Sequence, residues 1–168
     1  MNWSTLLSTL VGAVIGVGST VILDVSRWHR EGSQRWALSR RASYIDFLTA
    51  LSAAHSGLVS AVLRIHADDG DAYGKLHEAV HGSQIWQRRQ SLALTAPQNV
   101  LVQAVQATSC LELLRDILII QPDIESDAYT VARNALWSAN ATLREVMRQD
   151  LGMTGPPDPD VDRFGVKV

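Results

Sequence analysis

Residues 44–65 read YIDFLTALSAAHSGLVSAVLRI, and the apolar spacing inside this stretch decides the fold class. Tyr44, Leu48, Leu51, His55, Leu58, Val62 and Ile65 follow one another at intervals of 4, 3, 4, 3, 4 and 3 residues. A helix turns once in about 3.6 residues, so these side chains form one stripe, as on a helix packed in a bundle. A strand would need apolar alternation of period two, and no stretch of the chain shows it convincingly. The stripe predicts a helix from about Ser33 to Ala67, closed by the polar turn Asp68-Asp69-Gly70-Asp71.

Working outward, a second helix is expected from Asp71 to about Leu92, with Leu76, Ala79 and Val80 on its inner side. Pro97 opens a third, where a missing N–H costs little. Its seam is Val100, Ala104, Ala107, Leu111, Leu114 and Leu118, and Gln121-Pro122 ends it. A fourth starts near Asp123, carries Tyr129, Ala132, Leu136, Ala139, Leu143 and Val146 inward, and closes at Gly152. Short connections between four amphipathic helices suggest an all-α, up-down antiparallel four-helix bundle over residues 27–152. Residues 153–168 hold Pro156, Pro157 and Pro159 with Asp158, Asp160 and Asp162. Such a tail cannot build a core and is expected to be disordered.

Upstream, Met1 to Leu23 holds no charged side chain. Trp3 to Val25 would reach roughly 34 Å as a helix, enough to cross a hydrocarbon core of about 30 Å. A cleaved signal peptide would carry Lys or Arg before its apolar run, which this one lacks. A buried core helix is the other reading, since Ser4, Thr5, Ser8, Thr9, Ser19 and Thr20 dilute the hydrophobicity. The favoured expectation is a transmembrane anchor at residues 1–26, with interfacial contacts from Trp3, Arg27, Trp28, Arg30 and Arg35. Residues 1–41 carry five arginines against Asp24 and Glu31, whereas the remainder holds ten basic and fifteen acidic residues. The arginines follow the apolar run and never precede it, which places the N-terminus outside and the bulk of the chain in the cytoplasm, against anionic headgroups of the plasma membrane. Ser8, Gly12, Gly16 and Thr20 recur every four residues on one side of this helix, the small-residue spacing through which two copies would pair as a homodimer.

The net charge of −2 argues against a dedicated nucleic-acid binder. One cysteine, Cys110, rules out an intrachain disulfide or a paired-cysteine zinc site and reads as an inert thiol in an apolar run. The one motif with chemistry in it is His77-Glu78-Ala79-Val80-His81, an HExxH. On a helix both imidazoles share a side and would ligate one zinc, with Glu78 as general base on a bound water. The motif resembles that of the zincin metallopeptidases, and the resemblance implies a third ligand. Gln84 and Gln87 stand where the metzincin continuation wants Gly and His. Glu112 with Asp116 has the form of the downstream pair of the thermolysin-like class. Lys75 before the motif, Gly82-Ser83 after it and the lack of an edge strand depart from that pattern. In a milder version, a hairpin turning near residue 69 would bring His55 to His77 and His81 as a non-catalytic metal site within the bundle.

Arg40-x-x-x-Tyr44-x-x-Phe47-Leu48-x-Ala50, followed by Leu92-x-Leu94-x-Ala96-Pro97-x-x-Val100, resembles uncharacterised bacterial single-span proteins of actinobacterial type. The resemblance implies a membrane helix before a helical cytoplasmic region, and no activity. The expectation is therefore a membrane-tethered module that binds a protein partner or itself, without a cofactor. The alternative is a membrane-bound zinc hydrolase.

Overall fold

The computed structural model describes residues 36–67, 71–156 and 159–160. The expected span, its interfacial residues Trp3, Arg27, Trp28, Arg30 and Arg35, and the pairing residues Ser8, Gly12, Gly16 and Thr20 lie outside the described residues. The chain divides into two compact units, residues 1–38 and 39–168, and the second holds the core.

Every regular element among the described residues is a helix. They are α1 (Trp36–Ala67), α2 (Ala72–Gly82), α3 (Ile85–Ala93), α4 (Gln98–Ile120) and α5 (Asp127–Asp150). The seams read from the sequence are the buried faces. All six α4 positions are buried, as are Tyr129, Ala132, Leu136, Ala139 and Leu143 on α5, while Val146 is half-buried and Met147 is buried in its stead. On α1 the stripe is broader than its 4-3 skeleton: Phe47, Ala50, Ala54 and Ala61 are buried beside Tyr44, Leu51, Leu58 and Val62, while Leu48, His55 and Ile65 sit half-buried at its edge. A globular helix needs such a widened stripe because it meets more than one neighbour.

Polar contacts fix how α1 lies. Arg40 and Tyr44 reach Asp150 at the end of α5, and His55 meets Tyr129 in its first turn, so α1 and α5 run antiparallel. Gly57 lets α1 approach α2 closely; a Cβ there would stand 3.2 Å from the Ala79 carbonyl oxygen. Thr108, buried on α4, accepts a hydrogen bond from Arg89 of α3 at 3.1 Å.

The helix expected over Asp71 to Leu92 is broken in two. Leu76 and Val80 face the core, and an unbroken helix would next turn Ser83, Gln84 and Gln87 inward, with Ile85 about 140° from Val80. The Ser83 hydroxyl instead donates to the Val80 carbonyl at 2.6 Å, and Gln84 adopts a left-handed backbone with φ of 58°. The chain re-enters a helix rotated so that Ile85 and Leu92 are buried. A left-handed conformation costs a side-chain-bearing residue about 1–2 kcal/mol, part of which glycine avoids. Gln84→Gly is accordingly expected to raise the unfolding free energy by up to about 1 kcal/mol in urea titrations.

The last helix also begins later than the sequence suggests. Residues 123–126 form a turn in which Asp123 accepts from the Glu125 amide, and Ser126 caps α5 by accepting from the Tyr129 amide at 3.2 Å. Gly152, with φ of 69°, ends it. Beyond it the described part of the tail turns back along α5. Arg148 donates to the Pro156 carbonyl, and Arg144 pairs with Asp160 at 2.6 Å.

One helix among the described residues, α1, is long and apolar enough to cross a membrane. Its broad apolar stripe fills the core, and its outer side carries Arg41, Asp46 and Arg64 exposed beside Leu38, Ile45 and Leu63.

Candidate functional site: an imidazole pair and an outward apolar face

Helix α2 places the HExxH on its outer side. Leu76 and Val80 anchor it to the core, so His77, Glu78 and His81 are exposed. The His77 and His81 rings lie 4.2 Å apart between centroids, tilted by 47°. Tyr73, one turn earlier, stacks on His77 almost parallel, at 5.7 Å and 10°. The result is a ladder of three rings on one side of a short helix, the consequence of the four-residue spacing.

The other two metal candidates stand elsewhere. His55 lies against α5, where its Nε2 shares a hydrogen bond with the Tyr129 hydroxyl at 3.3 Å and its ring packs edge-on to Trp137 at 5.1 Å. Glu112 is half-buried on α4. Among the described residues no group of three or more His, Cys, Asp or Glu side chains gathers in a way that could hold a metal ion. The histidines brought together are thus His77 and His81.

Burial, and secondarily the positive charge of Arg133, hold the His55 imidazole below its ordinary value of 6.5. In the unfolded chain it takes up a proton as pH falls through 6.5, while in the fold it stays neutral further down. The unfolded state then binds more protons, so stability present at neutral pH is lost as pH falls through 6.5 toward the lowered value. Denaturant midpoints at successive pH values should show this loss in the wild type and a smaller one in His55→Gln.

A feature that the seams did not reveal lies on the far side of α4. Val102, Val105 and Leu113 are each about half exposed, and Ile120 is 86% exposed. They follow the outer side of the helix together with Ser109 and Asp116. The ionic groups of this helix are confined to Glu112, Arg115 and Asp116, and the last two pair with each other at 2.6 Å. Helix α4 is therefore apolar on both sides, although only one is used by the core. A helix hydrophobic all round is normally covered all round. Beside this ridge an open groove of about 430 Å³ runs between α4 and α5, lined by uncharged side chains including Gln103, Gln106, Asn134, Ser138 and Thr142. Cys110 lies in it half-buried; desolvation pushes its thiol up, against a weaker opposing effect of the Gln106 amide, so it is a poor nucleophile. The signal was present in the sequence as surplus apolar residues at 102, 105, 113 and 120.

Neither a protein-family model, a curated protein nor a solved structure matches the chain.

Proposed function

We propose that the protein is a membrane-tethered, non-catalytic interaction module. In this reading Trp3 to Val25 crosses the plasma membrane with the N-terminus outside, and residues 27–152 form an up-down antiparallel bundle in the cytoplasm, in which α2 and α3 together make one leg. The charge-free N-terminal run and the arginines that follow it support the anchor. The resemblance of residues 40–50 and 92–100 to single-span bacterial proteins agrees with it.

The observation that carries the binding role is the outward face of α4: Val102, Val105, Leu113 and Ile120 remain in water after the core is complete. Apolar side chains so arranged beside an uncharged groove suit a protein partner better than a polar ligand. A photoreactive residue placed at Val105 in intact membranes is expected to capture a protein, whereas the same residue at Gln149 on α5 is not. Absence of an adduct at Val105 would overturn the reading.

A second reading, a zinc hydrolase using His77, Glu78 and His81, draws its support from the 4.2 Å imidazole pair. It is separated from the first by hydrolytic assays of the zinc-loaded chain, with Glu78→Gln as the variant that would abolish turnover.

A further inference from the structure

The ring ladder on α2 has a use that needs no third ligand from the same chain. We infer that His77 and His81 form a two-imidazole clamp for a divalent transition metal, zinc in the first instance, and that a second copy of the chain completes the coordination with its own pair.

The geometry is close to that of a chelate. Two nitrogens bound to one zinc at about 2.0–2.1 Å and near the tetrahedral angle put their ring centroids roughly 5 Å apart. The rings stand at 4.2 Å, within about an ångström of that spacing, and both side chains are exposed. Tyr73 stacked on His77 limits the orientations open to that ring. His81 lies in the last turn of α2, where the negative end of the helix dipole favours a cation. Imidazole nitrogen is a preferred donor for zinc, and the side of α2 opposite the clamp is locked to the core by Leu76 and Val80.

The clamp supplies two of the four donors that a closed zinc site takes. No third His, Cys, Asp or Glu gathers with the pair among the described residues, and the pair points outward. A pair that faces outward is open to another molecule. Two copies related by a twofold axis through the metal present four imidazoles, a symmetric and closed arrangement. Such a site has no open position for substrate, so metal here links copies instead of cleaving bonds. The inference does not need the α4 surface: loss of either leaves the other standing.

The test uses the full chain in detergent micelles with zinc chloride as the only added ligand. Calorimetry should saturate at one zinc per two chains, and sedimentation should show a zinc-dependent dimer that a chelator reverses. His77→Ala and His81→Ala should each weaken binding by more than about a hundredfold, beyond the roughly 10–100-fold that loss of a supporting group costs, and remove the zinc-dependent dimer. His66→Ala, an exposed histidine at the end of α1, should behave as wild type. Saturation at one zinc per chain, the absence of binding, or binding unaffected by both substitutions would each overturn the inference. Folding of the variants is secured by circular dichroism, since neither ring contributes to the core.

Discussion

Phe47→Ala is expected to lower the unfolding free energy by about 3–5 kcal/mol. Phe47 is fully buried on α1, among the largest side chains in the core. Removing the ring takes away its transfer free energy and leaves a void that the helices close only in part. A domain of this size has in total about 5–15 kcal/mol of stability. The variant should therefore unfold at far lower urea, or be partly unfolded in buffer, as read by circular dichroism at 222 nm. The contrast is Ile45, two residues earlier and 53% exposed. Ile45→Ala should shift the midpoint by no more than about 0.5 kcal/mol.

Asp150→Ala should cost about 2–3 kcal/mol, through the stranding of two donors rather than a void. Asp150 takes both Arg40 Nη1 contacts at 3.0 Å and the Tyr44 hydroxyl at 2.6 Å, in a setting where its own side chain is 12% exposed. Burial, reinforced by the Asp150 carboxylate, pushes the Tyr44 hydroxyl above the ordinary tyrosine range, so it remains a donor. The Nε of Arg40 is already buried without a hydrogen-bond partner, which leaves the guanidinium dependent on this carboxylate. A cycle of Asp150→Ala with Tyr44→Phe should show coupling of about 1 kcal/mol in urea titrations. Full additivity would mean the short hydrogen bond adds nothing.

These two residues were not equally legible in the sequence. The apolar period around Phe47 announces the helix, since burial is a local pattern repeated at 3.6 residues. The seam runs through the half-buried Leu48 and passes over Phe47, because the buried stripe is wider than one line of side chains. Asp150 says nothing by itself; its meaning comes from two side chains more than a hundred positions earlier. The same division holds elsewhere. The seams of α4 and α5 are local and match the buried sides. The break at Ser83–Gln84 is a compromise between two short helices whose inner sides are out of phase, visible only once Ile85 and Leu92 are known to be buried. The start of α5 at Asp127 was set by Ser126 competing as cap against the acidic residues before it. The outer face of α4 was written in plain view, but a search for one seam per helix passes over a second. The HExxH spacing correctly puts two imidazoles on one side of a helix; nothing in the spacing says that this side faces outward.

The proposed tether, one N-terminal helix holding this domain at the cytoplasmic face of a membrane, rests on the charge-free run and the arginines after it. Its most direct test is cysteine labelling of the full chain in intact cells, on a Cys110→Ser background that removes the one native thiol. With a membrane-impermeant maleimide, Asn2→Cys should label in intact cells, and Met153→Cys, an exposed site after α5, only after permeabilisation. Labelling of Met153→Cys from outside, or release of the chain from membranes by alkaline carbonate, would contradict the account.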